Sequence, residues 1–558
     1  MHSRLLPITL LSATAAFTSF TSFTSFTPVT SFAQGARPAA KPPAAMSVIT
    51  EADLKRDLYI LGGDAMRGRE AGTLDELRAS AWIADELKKI GVEPMGDDGT
   101  YFQWFNMRRT RLGTASVIRV GERSFTLWTD IAAMGNAAAD IDGMTVWAGD
   151  GSDTTIDVRG KIVVAQLIAP PPGGRETTIN SPEYRYATRA IQVEGAALSL
   201  RGAAAVILIA DETADKAFDG VRAVRSRGQY ALEGAGGRGG GGGGGRGGAA
   251  ADRPVGTGAA CGGPALVPDT TSGRGRGGRA GGAGGRGGAV AQAPVFLVRR
   301  ALLDELRSPG KLVAIKLVRE TFLAPTVNVV GRVRGTDPVL RDEYVLYSSH
   351  QDHEGVRYAI DGDSVWNGAD DNGSVSVAQF AAARAFVKQP AKRSVIFINH
   401  GAEERGLLGS RYYTTHPIVP LDHIVAVING DMLGRNNPDT ASIMGVQPPH
   451  MNSREFVAMA LQANDLTGKF KLDSLWDRPT HVEGWYRRSD HLPYAEACVP
   501  ALMFSSNLHP DYHTPRDSPE TIDYPKLTRM AKWMYLTGWF VANAAKRPAL
   551  ETVFDIRR

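Results

Sequence analysis

The feature that most constrains this chain is a regular alternation of short apolar runs with helical patterns that begins after Thr321. The runs are rich in β-branched residues, which is typical of strands buried on both faces of a sheet. The predicted strands are Thr326–Val333, Glu343–Ser348, Ser394–Asn399, Ile424–Asn429 and Val499–Phe504, and the predicted helices are Ser374–Val387, Glu455–Ala463 and Leu527–Ala545. This alternation predicts an α/β fold: a mixed, mainly parallel sheet with helices on both faces.

Acidic residues and histidines follow four of these predicted strands at short distances along the chain. The polar stretches of this region are His350-Gln351-Asp352, Asp370-Asp371, Glu403-Glu404, Gly430-Asp431 and Tyr512-His513. The carboxyl ends of parallel strands meet at one edge of a sheet, so we expect these side chains to lie close together. Carboxylate and imidazole are the ligands that suit hydrolytic zinc, and this inventory is typical of a two-metal hydrolase.

Each stretch taken alone also fits a structural role. Asp370-Asp371-Asn372-Gly373 could form a turn or a helix cap, because Asp and Asn accept hydrogen bonds from free backbone amides. Asp431 could cap a helix, and His513 could be an ordinary loop histidine. Their joint occurrence at the ends of separate strands favours the metal site.

The same residues resemble the co-catalytic zinc exopeptidases of the bacterial leucyl aminopeptidase and aminopeptidase Y type, a family that also contains glutamate carboxypeptidase and the transferrin receptor. The resemblance is close over about residues 321–545 and looser over 51–107. The matching motifs are His350-x-Asp352, Gly-Ala-Asp-Asp371, Glu403-Glu404, Asn-Gly-Asp431, Ser489-Asp490-His491 and His513-Thr514-x-x-Asp517.

This resemblance implies two Zn²⁺ ions per chain and a role for each residue. Asp371 would bridge the two ions. His350 and Asp431 would complete one site, and Glu404 and His513 the other. Glu403 would be the general base, and the Asp352 carboxylate would orient His350 through its other ring nitrogen. The candidates for contacts with substrate are Tyr486, Arg487, Asp490 and His491.

The N-terminal third divides into segments of different composition. Residues 1–33 look like a signal peptide, with Arg4 before an apolar run and a small-x-small site at Ser31-Phe32-Ala33. The run is too polar for a good membrane span, and no stable membrane insertion is expected. Residues 34–46, rich in Ala and Pro, are predicted to be a linker. Residues 47–112 are predicted to be a helical N-terminal part of the peptidase domain.

Residues 113–318 change to short β-like runs and predict an inserted, smaller α/β domain. The runs are Ser116–Val120, Met144–Trp147, Lys161–Leu167, Ala205–Ile209 and Pro294–Val298. By the resemblance, this would be a protease-associated domain. Its Gly/Arg-rich stretch, 234–289, has little apolar surface and is predicted to be a disordered loop. Residues 319–548 would form the zinc peptidase domain.

Charge and cysteine content narrow the remaining possibilities. The Gly/Arg-rich stretch has seven arginines and two aspartates, so the rest of the chain is close to neutral and shows no footprint for nucleic acid. The two cysteines, Cys261 and Cys498, are interpreted as forming neither a disulfide framework nor a metal site. With the signal peptide, this predicts an exported protein, periplasmic or secreted.

The predicted function is an aminopeptidase that removes N-terminal residues from peptides. A carboxypeptidase or dipeptidase on the same scaffold is the first alternative, because Arg435, Arg487 and Arg488 could meet a free carboxylate. A non-catalytic, receptor-like binding protein is the second. The complete ligand set and Glu403 argue against it.

Overall fold

The computed structural model describes residues 41–170, 181–234, 261 and 293–556. The predicted signal peptide, residues 34–40 of the predicted linker, and all of the Gly/Arg-rich stretch except Gly234 and Cys261 lie outside the described residues. The end of the predicted linker is instead part of the folded core: Ala44–Val48 forms a 3₁₀ turn in which Ala45 is buried.

Six of the described α-helices begin at a Ser, Thr or Asp side chain that accepts a backbone N–H of the first turn. Gly91 ends the second helix in the left-handed conformation that glycine favours, with φ of 96°. The helices are α1 (Glu51–Leu61), α2 (Leu74–Ile90), α3 (Pro182–Leu200), α4 (Glu212–Lys216), α5 (Phe218–Ser226), α6 (Leu303–Leu306), α7 (Val375–Lys388), α8 (Leu408–Thr415), α9 (Arg454–Leu466), α10 (His491–Glu496) and α11 (Tyr524–Asn543).

The described strands form two large sheets and one hairpin. In chain order they are β1 (Glu93–Pro94), β2 (Phe102–Leu112), β3 (Val117–Val120), β4 (Arg123–Phe125), β5 (Ile131–Ala133), β6 (Ala139–Trp147), β7 (Ile162–Gln166), β8 (Ala205–Ile209), β9 (Gln229–Leu232), β10 (Val295–Val298), β11 (Leu312–Leu317), β12 (Arg319–Val333), β13 (Tyr344–His350), β14 (Gly355–Ile360), β15 (Asp363–Trp366), β16 (Ser394–His400), β17 (Ile424–Gly430), β18 (Thr440–Met444), β19 (Lys471–Leu472) and β20 (Ala501–Ser505).

The main sheet has the strand order β19-β18-β20-β17-β13-β16-β12-β2-β9, with β1 paired to β12. Its central strands β20, β17, β13 and β16 are mutually parallel, and β12, β2 and β9 continue the sheet antiparallel. The predicted mixed α/β architecture is therefore confirmed. The parallel strands place four carboxyl ends side by side at one edge.

Both faces of the central strands are covered, which explains their continuous apolar sequences. Val345 and Tyr347 of β13 pack into one core cluster with α1, α2, α7, α9 and α11. Tyr344 and Leu346, pointing the opposite way, pack into a second cluster with α8 and α10. Helices therefore lie on both faces, as predicted.

The helical prediction for residues 47–112 is wrong for its last part. Phe102–Leu112 is strand β2, in which Phe105 and Met107 are buried at a spacing of two. Trp104, Asn106 and Arg108 alternate with them and are more exposed, so this segment has the two-residue period of a strand and not the period of a helix.

A second, eight-stranded sheet has the order β4-β3-β11-β6-β7-β8-β10-β5, and all its strands lie within Val117–Leu317. Strands β6, β7, β8 and β10 are parallel, and α3 and α5 pack on this sheet through Ile191 and Val221. The segment is not fully separate, however, because β9 leaves it and pairs with β2 at the edge of the main sheet.

Two features tie distant segments together. The buried guanidinium of Arg69 donates hydrogen bonds of 2.7–2.8 Å to four backbone carbonyls, those of Leu61, Gln351, Asn367 and Gly368. Cys261 and Cys498 form a disulfide, with Cα atoms 5.6 Å apart, so the interpretation of these cysteines as unpaired is wrong. Their separation of 237 residues left no spacing signal in the sequence.

None of the described helices is both long enough and apolar enough to span a membrane.

Candidate metal centre

The main sheet brings the predicted ligands together at its carboxyl edge. His350 ends β13, and Asp431 directly follows β17. Glu404 lies four residues beyond β16, and His513 lies in the loop after β20. Asp371 lies in the tight turn that leads into α7. Strand ends and one helix start therefore supply all five side chains.

Two groups of potential metal-binding side chains occur among the described residues. One consists of His350, Glu403 and Asp431, and the other of His353, Asp371, Glu404 and His513. Within each group the ligand atoms lie within 4.8 Å of one another. Donor sets of imidazole nitrogen and carboxylate oxygen at this spacing fit zinc.

Asp371 connects the two groups through its two carboxylate oxygens. Its Oδ1 lies 3.3 Å from Nε2 of His350, and its Oδ2 lies 3.1 Å from Nε2 of His513. The same Nε2 of His513 is 3.1 Å from Oε1 of Glu404. Nε2 of His350 is 4.0 Å from Oδ2 of Asp431. One carboxylate therefore faces an imidazole on each side, as a bridging ligand must.

Backbone contacts hold the Asp371 turn in place. The Asp517 carboxylate accepts the backbone N–H groups of Asp370 and Asp371 at 2.9 and 3.0 Å. The Asn372 side chain donates to the carbonyl of Gly430 at 3.0 Å, which links the turn to the end of β17. The position of Asp371 relative to Asp431 is thus fixed by hydrogen bonds to the main chain.

Asp352 performs a different task from the one predicted. The backbone carbonyl of Asp352, not its carboxylate, faces Nδ1 of His350, at 3.1 Å against 3.9 Å. The carboxylate instead accepts the backbone N–H groups of Glu403 and Glu404 at 2.9 and 3.3 Å. Asp352 therefore positions the neighbouring glutamates, and its main chain orients the histidine.

The electrostatics of the cluster favour positive charge at its centre. Burial raises the pKa of Asp431 to about 8, and the Asp371 carboxylate adds to this effect. Burial also raises the pKa of Glu403 well above its ordinary value. Burial lowers the pKa of His350, but the carboxylates of Glu403 and Asp371 raise it well above the ordinary value overall. So many buried carboxylates need protons or cations to balance them, and metal ions fit that need.

His353 also belongs to the cluster, although it is not one of the five predicted ligands. Its Nδ1 lies 3.0 Å from Oε1 of Glu404, and the ring is fully buried. Its position three residues after His350 was the available signal.

Three of the four candidate substrate residues are buried. Tyr486 stacks on the ring of His450 at 4.0 Å between centroids. Asp490 accepts a hydrogen bond from the hydroxyl of Ser410 at 2.5 Å, and His491 is fully buried beside Tyr486. Arg487 alone of the four is exposed. These positions fit support of the site better than an open substrate surface.

Comparison with known proteins agrees with this geometry. The model of Peptidase family M28 matches residues 328–537, a range that includes all five predicted ligands and Glu403. Aminopeptidase YwaD of Bacillus subtilis is 27% identical over 188 residues, which cover 32% of this chain and 39% of that protein. A probable zinc metalloprotease of Leptosphaeria maculans is 24% identical over 259 residues, covering 40% of this chain and 59% of that protein. The matched part thus spans less than two thirds of either relative.

The fold also matches a solved structure over nearly its whole length. BSAP, a zinc aminopeptidase from Bacillus subtilis, covers 91% of this chain and 99% of its own, with 18% identity and a TM-score of 0.50. At that identity the likeness concerns the fold alone. Residues 328–537 of this chain, which hold the ligand cluster, thus match the model of peptidase family M28.

Proposed function

We propose that this protein is a zinc-dependent aminopeptidase with two metal ions per chain. The observation that carries the proposal is the Asp371 carboxylate, whose two oxygens face His350 on one side and His513 on the other. The names of the relatives, an aminopeptidase and a probable zinc metalloprotease, support the same chemistry.

Each ligand has a place in this proposal. Asp371 would bridge the two ions, with His350 and Asp431 on one and Glu404 and His513 on the other. Zinc held there would polarise the scissile carbonyl and lower the pKa of the attacking water. His353, 3.0 Å from Glu404, would keep that carboxylate oriented.

Glu403 is placed to act as the general base. Its Oε2 lies 3.9 Å from Nε2 of His350, and its main chain is held by Asp352. It would take the proton of the attacking water and pass it to the leaving amine.

Two of the three arginines that suggested a carboxypeptidase already bind other side chains. Arg435 pairs with Asp511 at 2.5 Å and donates to Thr521. Arg488 pairs with Glu483 at 3.4 Å and donates to the hydroxyl of Tyr512. Guanidinium groups held this way are less available for a peptide carboxylate, which supports the aminopeptidase.

We further propose that the protein is exported and acts on peptides in the periplasm or outside the cell, with Val117–Leu317 serving as a protease-associated-like domain. The Cys261–Cys498 disulfide supports export, because disulfides persist in oxidising compartments. Cell fractionation tests this, and accumulation of the protein in the cytosol would contradict it.

The test of the activity is a panel of N-terminally free, N-acetylated and C-terminally amidated peptides, assayed with and without a chelator. We expect hydrolysis of free and amidated peptides, no hydrolysis of acetylated ones, and loss of activity with the chelator. Hydrolysis of acetylated but not amidated peptides would show a carboxypeptidase instead. A protein that holds no zinc and cleaves none of the peptides would be a binding protein.

A further inference from the structure

One arginine of the segment that carries the second sheet contacts a carboxylate beside the candidate metal centre. Arg227 directly follows α5, and its side chain is only 12% exposed. Its guanidinium contacts Glu354 twice, through the Glu354 carboxylate and through the backbone carbonyl of the same residue. A further contact, of 3.4 Å, joins Nε of Arg227 to Oε1 of Glu70.

The main chain around Arg227 is held tightly in place. The carbonyl of Arg227 accepts a hydrogen bond of 2.8 Å from Nε of Arg109 on β2. Gly228 has φ of 78°, and a Cβ atom there would lie 2.2 Å from the carbonyl oxygen of Thr110. The arginine is therefore aimed at Glu354 from a fixed position on the main sheet.

Glu354 lies between this arginine and a metal ligand. Its Oε1 is 3.8 Å from Nδ1 of His513 and 3.6 Å from Arg405, the residue after Glu404. Its Oε2 is 2.8 Å from Arg357. The carboxylate is 8% exposed, so the surrounding arginines are what allow it to remain charged there.

The two ring nitrogens of His513 lie beside different carboxylates. Its Nε2 points at Asp371 and Glu404, and its Nδ1 points at Glu354. A carboxylate beside one ring nitrogen favours the proton on that nitrogen and leaves the other free for a metal. We propose that Arg227 is a positioning residue for the metal centre, which acts by holding Glu354 against His513. This proposal rests on the proposed function, since it presumes that His513 binds a metal.

A second contact from the same segment supports this arrangement. The guanidinium of Arg405 lies 5.5 Å from the ring centroid of Tyr230, on β9. Residues 227 and 230 therefore both reach side chains that adjoin the group formed by Glu404 and His513. The contacts that involve Arg227 and Tyr230 thus lie on the side of Glu404 and His513, away from the group with His350 and Asp431, so the two metal positions should respond differently.

The test is a zinc titration of the purified full-length protein against a competing chelator, with the wild type measured first. Arg227→Ala should weaken one of the two binding steps by about 10–100-fold and leave the other unchanged. Glu354→Gln, which keeps the shape but removes the charge, should weaken the same step. Arg227→Lys should restore binding only in part, because the lysine ammonium lacks the planar fork whose two nitrogens donate separately to the carboxylate and the carbonyl.

Arg222→Ala is the matched control, since Arg222 lies on α5 and pairs with Asp219 at the surface. It should change neither binding step. The Tm of each metal-free variant is measured alongside. If Arg227→Ala lowers this Tm but leaves both zinc affinities as in the wild type, the residue is structural and the proposal is wrong. A wild type that binds no zinc would instead overturn the proposed function.

Discussion

The two large sheets share a layout but not a site. Both have a central set of parallel strands whose carboxyl ends lie side by side. In the main sheet these ends lead into His350 and Asp431, whereas in the second sheet β8 leads into Asp211, which caps α4. Ten of the eleven histidines lie between His350 and His513, and the other is His2. A row of parallel strand ends can form a metal site only where the residues at those ends are metal ligands.

Buried carboxylates show the same contrast. Asp371 in the main sheet region has an imidazole within 3.3 Å on each side. Glu194, on α3 beside the second sheet, is 8% exposed, and burial raises its pKa to about 8, with Asp150 and Asp211 adding to the effect. One carboxylate is buried among partners that balance its charge. The other is buried at a cost.

The largest effect should come from Asp371→Asn, which removes the bridging charge. We expect the affinity for both metal ions to fall by more than the roughly 10–100-fold that follows the loss of a group hydrogen-bonded to a ligand. Zinc content and peptidase activity should fall together, as measured by metal analysis and kcat/KM. The matched control is Asp211→Asn, also an aspartate after a parallel strand, where asparagine still caps the helix. Equal loss of zinc in both variants would mean that strand-end position, not ligand geometry, decides binding.

Glu403→Ala should have the next largest effect, because it removes the base but not a predicted metal ligand. Activity should fall by about 10²–10⁴-fold while zinc content stays at the wild-type value. Glu212→Ala, an exposed glutamate on α4 that pairs with Lys216, is the control and should leave both unchanged. Parallel loss of zinc and activity in Glu403→Ala would assign Glu403 to the metal instead.

The smallest effect should appear in the second sheet, as a pH dependence of stability. The pKa of Glu194 is near 8 in the folded chain and close to its ordinary value when unfolded. The folded state therefore keeps a proton that the unfolded state loses, and stability should fall as pH rises from about 4.5 to 8. Glu194→Gln should remove this part of the slope. Urea unfolding at several pH values measures it, and an unchanged slope would show that Glu194 is not the group responsible.

The sequence predicted the main sheet well because its signals are local. Strands β13, β16 and β17 are continuous apolar runs, and each is followed within a few residues by a ligand. Asp371 does not end a strand of the main sheet, and its bridging role is predicted from the resemblance of the Gly-Ala-Asp-Asp371 motif to the zinc exopeptidases. Such features need only neighbouring residues in the chain, and their convergence follows from parallel strand geometry.

The rest depended on contacts between distant residues. Arg227 and Glu354 are 127 positions apart, and Cys261 and Cys498 are 237 apart. Neither pair has a spacing or motif that marks it. The Asp352 carbonyl faces His350, and the Asp352 carboxylate accepts the N–H of Glu403. These contacts depend on the local path of the main chain, so the residue type alone does not predict them.

The four hydrogen bonds of Arg69 indicate that the part of the chain able to fold is longer than the part that matches the family model. The match begins at residue 328, but Arg69 satisfies the carbonyls of Gln351, Asn367 and Gly368, which flank the metal ligands. A fragment cut at the match would lose this guanidinium together with Leu54 and Leu58 of the shared core. Each buried carbonyl left unpaired costs about 1–3 kcal/mol. An expression fragment meant to carry the metal centre therefore has to begin before α1.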